Sequence, residues 1–281
     1  MHTFALVRIL GNDLPPMHSE HQTLDNLRLL LDEERPLAGC RKHFILNRIV
    51  DPGRESTIIE LLESAGLGFH RIPFDPLAYA NSKDAGWKMH YITNNNPARN
   101  EALVLGASIA TYTLPLDGQT FFTNAGWEQL VREVERDPQA QAFTIPMFRL
   151  SSNQHVSALT RSDPSTYATQ CEPQLMFRAG VTERFEPLLP YGMGPKVEML
   201  LRLGVPGPWD EWPGATFRKL RDLASRKSSR LRGTVRDAGF VLRLAPGNAR
   251  TATNLRYRQF QRNEGIKRIV ARLDKRLGET S

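Results

Sequence analysis

Two groups of residues suited to ligand binding lie eighteen positions apart near the middle of the chain. The first group, Ala98-Arg99-Asn100, offers a cation and an amide. The second, Asp117-Gly118-Gln119, offers a carboxylate and an amide on either side of a glycine. A guanidinium suits phosphate, and carboxylate and amide oxygens suit a hard divalent cation. Together the two groups indicate a site for a charged ligand.

The sequence between these groups predicts one helix followed by one strand. Asn96 is predicted to cap a helix that begins at Pro97, and small or apolar residues then recur at helical spacing up to Ala110. In residues 111–116 every second residue is apolar, as in a strand. Asp117 therefore follows the carboxyl end of a strand, which is where open α/β sheets place their ligand sites.

This arrangement resembles the centre of the family-two glycosyltransferases of the GT-A fold. In that family a loop ending in Ala-Arg-Asn opens a helix, and the next strand ends in an Asp-x-Asp motif that holds a metal and a sugar nucleotide. The resemblance implies that Arg99 and Asn100 contact the nucleotide or its phosphates. It also implies that Asp117 and Gln119 hold Mg²⁺ or Mn²⁺, although Gln119 stands where the family has a second carboxylate. A site without metal, in which cationic side chains balance the phosphates, stays open.

Two turns near the start of the chain extend the resemblance. In the family, the first strand ends in a turn with an Asn and the second in an acidic turn, and both contact the nucleotide. Asn12 follows the first predicted strand here, Asn47 lies near the end of the second, and Asp51 follows it. The resemblance therefore implies all three as nucleotide contacts. Asn and Asp also favour turns for reasons of backbone geometry, so a purely structural role for each stays open.

A fainter match concerns the helix predicted at residues 196–203. In the family an acidic pair opens a helix at this place, and one of its carboxylates deprotonates the acceptor hydroxyl. This chain has Pro195-Lys196 there, so Glu198 or Glu172 would have to be the catalytic base. Glu198 and Arg202 are also spaced as an i, i+4 ion pair. Lys196, beside a helix start, is well placed for a pyrophosphate.

The first half of the chain alternates short apolar runs with helical stripes. Strands are predicted at residues 4–10, 42–49 and 69–72, with helices between them. Such alternation is typical of a parallel sheet with right-handed crossovers. We therefore predict an α/β protein with a GT-A-like open, mainly parallel sheet flanked by helices, and a basic helical C-terminal appendage.

Charge is spread unevenly along the 281 residues, whose formal net charge is +7. Residues 214–281 contain 18 Lys and Arg but 5 Asp and Glu. A segment rich in Pro and Trp precedes this range, so we predict a transferase domain at residues 1–213 and a basic, mainly helical extension at 214–281. Trp209 and Trp212 in this segment would either stack on a sugar or seal the edge of the domain.

The extension contains a helical pattern at residues 264–277 with an apolar stripe opposite a basic one. Such a helix would dock on its own domain, lie on an anionic membrane surface or meet nucleic acid. Nucleic acid ranks lowest because zinc-ligand spacing and an aromatic RNA-binding signature are both missing from the sequence. Two cysteines, no signal peptide and no membrane-spanning run lead us to expect a cytoplasmic protein, peripheral at most on the inner membrane.

The leading hypothesis is a glycosyltransferase that moves a sugar from a nucleotide-activated donor to a saccharide or lipid-linked acceptor, in surface polysaccharide or glycoconjugate synthesis. A phosphosugar or nucleotidyl transferase on a similar sheet is the alternative among enzymes. A non-catalytic binding protein also fits, because the usual acidic pair is missing and the Asp-x-Asp motif is incomplete. The poorly patterned stretch at residues 151–169, with His155, is predicted to be a lid on the acceptor side.

Overall fold

The computed structural model describes residues 2–150, 153, 168–191, 194–245 and 255–278. The strands are β1 (His2–Leu10), β2 (Cys40–Asn47), β3 (Gly68–Ile72), β4 (Ala110–Asp117), β5 (Thr120–Phe121), β6 (Ala142–Leu150), β7 (Ala168–Arg178), β8 (Arg236–Asp237) and β9 (Val241–Arg243). The helices are α1 (Gln22–Glu33), α2 (Pro52–Ser64), α3 (Pro76–Ala80), α4 (Ala85–Thr93), α5 (Asn95–Ile109), α6 (Asn124–Arg136), α7 (Pro195–Leu203), α8 (Ala215–Ser225) and α9 (Leu255–Gly278).

The nine strands found in the described residues form one mixed sheet in the order β3-β2-β1-β4-β7-β6-β9-β5, with β8 beside β6. The first four strands of this order are parallel to one another, whereas β7 runs antiparallel to both β4 and β6. Strand β9 is parallel to β6 and antiparallel to β5. The predicted fold class, an α/β protein with a mainly parallel sheet flanked by helices, is confirmed.

Strand β1 is the centre of the parallel half and is buried on both faces. Phe4 and Leu6 belong to one apolar cluster, and Ala5 and Val7 belong to another on the opposite face. Such two-sided burial explains the nearly continuous apolar run that predicted this strand. Because β2 lies on one side of β1 and β4 on the other, the chain order reverses at β1, and the carboxyl ends of β1 and β4 border a crevice.

Two short helices before α5 were not predicted, and they change where α5 begins. Asp75 and Asp84 cap α3 and α4 by accepting hydrogen bonds from backbone amides, and Pro76 is the first residue of α3. The predicted cap at Asn96 is wrong. Asn94 lies in the left-handed region, with a φ of 41°, and both ends α4 and precedes α5. Asn tolerates this conformation better than most residues do.

The predicted C-terminal extension contributes strands as well as helices. Strands β8 and β9 pair with β6 in the same sheet, and the division at residues 213 and 214 stays a prediction. Ile266, Ile269 and Leu273 on α9 are buried in a cluster with residues of α3 and α4. Three surfaces were considered for the apolar stripe of α9, and in the structure this stripe packs on the protein's own domain. None of the described helices is both long and apolar enough to cross a membrane.

The predictions for residues 151–204 agree with the structure in part. Helix α7 begins at Pro195, one residue before the predicted start, and ends at the predicted Leu203; Gly204 follows it in the left-handed region. Glu172, a candidate base, lies inside β7, which begins at Ala168. The predicted lid at residues 151–169, including His155, falls almost entirely outside the described residues.

A buried ion pair joins β1 to the end of α1. Arg8 is 1% exposed and donates to Glu34, whose carboxylate also accepts from the Phe122 amide at 3.1 Å and pairs with Lys42 Nζ at 2.8 Å. Arg8 Nε donates to the Thr120 carbonyl at 3.0 Å. Burial alone would raise the pKa of Glu34, but Arg8 and Lys42 hold it below its ordinary value.

Replacing Glu34 should therefore destabilise the fold severely. Glu34→Gln leaves the Arg8 guanidinium buried without a counter-charge, and we expect a loss of about 3–5 kcal/mol in the free energy of unfolding. Urea denaturation followed by circular dichroism measures this loss. Asp32→Asn, an exposed change on the same helix, is the matched control, and equal stability of the two variants would contradict the prediction.

Candidate active site

A cavity of about 820 Å³ opens at the carboxyl ends of β1, β2 and β4. Its floor is formed by residues 9–12 at the end of β1 and by residues 117–119 at the end of β4. The first turns of α5 and α7 form one wall, and residues 212–217 together with Phe260, Arg262 and Asn263 contribute from the C-terminal part. The cavity therefore occupies the crevice at which the strand order reverses, which is the usual ligand site of such sheets.

Asp117 is the centre of the charged part of this cavity. Its Oδ1 accepts from Arg99 Nη2 at 2.7 Å, and its Oδ2 accepts from Arg243 Nη1 at 3.0 Å. Lys196 Nζ lies 3.5 Å from the same Oδ2. The three cations come from α5, β9 and α7, so a single carboxylate joins three elements to the end of β4.

These contacts fix the charge states in the cluster. Burial would raise the pKa of Asp117, but Lys196, Arg99 and Arg243 together hold it well below its ordinary value. The pKa of Lys196 is lowered, chiefly by burial and also by Arg99 and Arg243, while Asp117 and Glu172 oppose this shift. Asp117 is thus a permanent anion and is unsuited to be a general base at neutral pH.

The predicted metal ligands do not fit a resident divalent cation. Oriented with its amide oxygen towards Arg243, Gln119 accepts from Arg243 Nε at 3.2 Å and from Nη2 at 2.7 Å. Both Asp117 and Gln119 are thus engaged by protein cations, and a dication beside them would be repelled. Mg²⁺ and Mn²⁺ need several free oxygen ligands, and within the described ranges no three His, Cys, Asp or Glu side chains converge on a common point.

The same cluster suits an anion. Three positive charges around one carboxylate leave a surplus of two. Within the described part of the chain, Arg99 Nε and Lys196 Nζ are buried and make no hydrogen bond, although Lys196 keeps its ion pair with Asp117. The first turns of α5 and α7 also line the cavity, and backbone amides at helix starts attract phosphate.

Asn12 and Asn47 line the cavity, but their amides hold its walls together. Asn12 accepts from the Val50 amide at 3.0 Å and donates to the Arg48 carbonyl at 2.8 Å. Asn47 donates to the Thr93 carbonyl at 3.0 Å and accepts from Asn94 Nδ2 at 2.8 Å. These bonds fix the loops after β1 and β2 against the end of α4.

Three other predicted site residues lie outside the cavity. Asp51 is exposed and caps α2 by accepting from the Arg54 amide at 3.1 Å. Asn100 bonds to the Phe185 amide at 2.8 Å and to its carbonyl at 2.9 Å. Glu198 is fully buried and pairs with Arg202 at 2.9 Å, which is the ion pair that its spacing allowed. In this structure each of the three makes a structural contact outside the cavity.

Glu172 is the second predicted base, and the structure brings it to the site. It lies in β7, is partly exposed and lines the cavity. Its negative charge opposes the lowering of the pKa of Lys196 and contributes to the raised pKa of Arg243. The carboxylate therefore lies near the Asp117 cluster. Asp117 and Glu172 are the acidic residues among those that line the cavity in the described part of the chain.

Several cavity residues escaped the sequence prediction. Arg243 lies in a strand of three residues within the basic tail, where no motif marks it. His18 accepts from the Leu14 amide through Nδ1 at 3.1 Å, and burial together with Arg262, Arg243 and Arg149 lowers its pKa to about 3. His18 is therefore neutral, with its proton on Nε2. Neither residue belongs to a recognisable sequence motif. Only the composition of the chain could have pointed to them.

The two Trp residues of the segment before residue 214 lie in different environments. Trp209 is 6% exposed and donates from its indole to the Val205 carbonyl at 3.0 Å, so it seals the domain. Trp212 lines the cavity and packs edge-to-face on Phe217, with ring centroids 4.9 Å apart. Arg221 donates to the Trp212 carbonyl at 3.2 Å and holds the segment in place.

This chain is similar to several solved structures, but the comparisons do not assign it to a family. No family model matches the chain, and no curated protein matches it. The structure of S. aureus TarS 1–349 in complex with UDP is 11% identical, with a TM-score of 0.42, 95% of this chain and 71% of that chain covered. A second structure of TarS 1–349 is 10% identical, with a TM-score of 0.40, covering 88% of this chain and 58% of that one.

A third likeness is to the mannosyltransferase PcManGT from Pyrobaculum calidifontis in complex with GDP-Man and Mn²⁺. The identity is 11% and the TM-score 0.34, with 63% of this chain and 44% of that chain covered. This chain also spans 38% of a longer structure of S. aureus TarS. Because these TM-scores are below 0.5, the likeness establishes no activity, and the function has to be argued from the cavity itself.

The close approach of β1 and β4 beneath the cavity should require Gly118. A Cβ on Gly118 would lie 2.8 Å from the Ile9 carbonyl oxygen and 2.9 Å from Leu10 Cδ2. We expect Gly118→Ala to cost about 1–3 kcal/mol in unfolding free energy, because backbone must shift to admit the methyl group. Thermal denaturation measures the cost.

Gly11→Ala is the matched control for Gly118→Ala, since it lies at the end of the neighbouring strand and a Cβ there meets nothing within 4 Å. We expect its unfolding free energy to stay within about 0.5 kcal/mol of that of the original chain. Similar losses in both variants would show that the two strand ends do not need a glycine at residue 118 in particular.

Proposed function

We propose that this chain is a glycosyltransferase that uses a nucleotide-activated sugar. The observation that carries the proposal is the Asp117 cluster, in which Arg99, Lys196 and Arg243 leave two positive charges in surplus. The cluster lies in the crevice between the carboxyl ends of β1 and β4. A diphosphate carries a matching charge, and the nucleoside of a donor would lie beside it towards β2.

The walls of the cavity support this placement of the donor. Towards β2 they are formed by Asn12, Asn47 and the end of α4, where Met89, Ile92 and Thr93 line the cavity beside the space for a base and ribose. Glu172 lies on β7, on the side of β4 away from β2, and Trp212 and Phe217 also line the cavity. The transferred sugar and the acceptor would occupy this second part, where flat aromatic rings suit the apolar face of a pyranose.

The reaction would be a displacement at the anomeric carbon of the donor. The acceptor hydroxyl oxygen forms a bond to that carbon while the bond from the carbon to the diphosphate oxygen breaks, and the electron pair of the broken bond stays on the diphosphate. Glu172 would accept the hydroxyl proton, and Arg99 and Lys196 would stabilise the leaving charge. Asp117 holds these cations in position throughout.

The acceptor is proposed to be a saccharide or a glycolipid in surface polysaccharide or glycoconjugate synthesis. The apolar stripe of α9 is buried, so a contact with an anionic membrane would depend on the exposed basic side chains of that helix alone. Those side chains are Lys267, Arg268, Arg272, Lys275 and Arg276. Such a contact is electrostatic and would weaken with salt. We propose a cytoplasmic location, since the donor nucleotides are made there.

A thermal-shift screen tests the proposal directly. UDP-, GDP-, CMP- and dTDP-sugars are compared with the nucleoside triphosphates, each with Mn²⁺ and with EDTA. A ligand at 100 times its dissociation constant adds about 2.7 kcal/mol to the folded state, so we expect one nucleotide-sugar class to raise the melting temperature. Stabilisation by triphosphates alone would favour a nucleotidyl transferase instead, and no stabilisation by any nucleotide would refute a donor site.

Glu172→Gln tests the proposed base once a donor is known. The amide cannot accept the hydroxyl proton, so we expect kcat to fall about 10²- to 10⁴-fold while the dissociation constant of the nucleotide changes little. Steady-state kinetics and calorimetry separate the two effects. Glu135→Gln, an exposed change on α6, is the control, and an unchanged kcat in Glu172→Gln would remove Glu172 from the mechanism.

A further inference from the structure

The two side chains expected to hold a metal both face Arg243. Its guanidinium donates to Asp117 Oδ2 at 3.0 Å through Nη1 and reaches the Gln119 amide oxygen at 3.2 Å through Nε and at 2.7 Å through Nη2. A guanidinium has five N–H groups, and these contacts use three of them. A cation supplied by the protein thus occupies the side of Asp117 and Gln119 at which a divalent ion would have to bind.

The position of Arg243 is fixed by the sheet. Arg243 pairs with Thr120 of β5 and with Arg149 of β6, so its backbone is hydrogen-bonded into two neighbouring strands. The next residue, Leu244, donates from its amide to the Gln119 carbonyl at 2.9 Å. The turn that carries Asp117 and Gln119 and the strand that carries Arg243 are therefore held together by backbone bonds, which keep the guanidinium within reach of both side chains.

The charge of Arg243 is equally fixed. Burial would lower its pKa, but Asp117 and other neighbours raise it above the ordinary value, so it is a cation at every physiological pH. The side chain is 11% exposed, which places it against the cavity with little water around it. A desolvated, planar cation of this kind is well suited to bind phosphate oxygens with two parallel hydrogen bonds.

We propose that Arg243 replaces the divalent cation of a metal-dependent sugar transferase, and that this chain binds and releases its diphosphate without a metal. This inference rests on the proposed function. With Arg99 and Lys196, Arg243 supplies the counter-charge as the bond between the anomeric carbon and the diphosphate oxygen breaks and its electron pair passes to the diphosphate. Asp117 then positions the three cations through ion pairs, and the Gln119 amide oxygen accepts hydrogen bonds from the Arg243 guanidinium.

Calorimetric titration of the full chain with UDP, GDP, CDP and dTDP, in EDTA and in Mn²⁺, tests the inference. We expect the nucleotide that binds to do so with the same dissociation constant in both buffers. Arg243→Ala should weaken its binding about 10- to 100-fold, and Arg243→Lys should weaken it less, because charge-assisted hydrogen bonds are lost. Arg236→Ala, a change at an arginine whose side chain is 68% exposed on β8, is the control and should bind as the original chain does.

A double variant gives a second readout that does not depend on activity. Gln119→Asp with Arg243→Ala removes the guanidinium and supplies the second carboxylate of an Asp-x-Asp motif. We expect Mn²⁺ to strengthen nucleotide binding in this variant and to have no effect on the original chain. Circular dichroism checks that each variant is folded, and the comparison of EDTA with Mn²⁺ on the original chain remains decisive if Arg243→Ala does not fold.

The outcomes separate the inference from the function on which it rests. Nucleotide binding that requires Mn²⁺, or that is unchanged in Arg243→Ala, would overturn the role of Arg243 and leave a sugar transferase in place. Binding of no nucleotide in either buffer would refute the proposed function itself. Equal binding in both buffers, with a loss in Arg243→Ala, would establish the inference.

Discussion

The buried carboxylate of Asp117 joins parts of the protein that are far apart in sequence. Arg99 on α5, Lys196 on α7 and Arg243 on β9 all meet it within 3.5 Å at the end of β4. A charge in such a place is costly unless it is paired, and removing one member leaves the others without compensation. The position of two helix starts and of a strand from the C-terminal part therefore depends on this one anion.

A second buried ion pair, between Arg8 and Glu34, differs from the Asp117 cluster in its charge balance and in its place relative to the cavity. Glu34 accepts from Arg8, from Lys42 and from the Phe122 amide, and Arg8 also bonds to the Thr120 carbonyl. These groups satisfy one another, and none of the three side chains lines the cavity. Around Asp117 the positive charge exceeds the negative, and the cluster faces an open cavity. A surplus of buried charge beside a crevice is the condition under which an anionic ligand gains most from binding.

Sequence pattern was sufficient for the local parts of this arrangement. A short apolar run predicted β1, apolar residues at every second position predicted β4, and the alternation of strands and helices predicted a mainly parallel sheet. That Asp117 would lie at a ligand crevice followed from its place after β4, because strand ends in such sheets share an edge. Lys196 followed from its place beside a helix start, whereas Arg99 followed from the resemblance of Ala98-Arg99-Asn100 to a family motif.

What the sequence determined by itself was therefore the fold class and the residues whose role depends on their own strand or helix. The tertiary structure decided the rest, because burial and long-range pairing have no signature in neighbouring residues. It buried Glu198 against Arg202, brought Glu172 to the cavity inside β7, and docked the apolar face of α9 on α3 and α4. It also carried Arg243 across 126 residues of chain to Asp117, through strand pairing that no local pattern encodes.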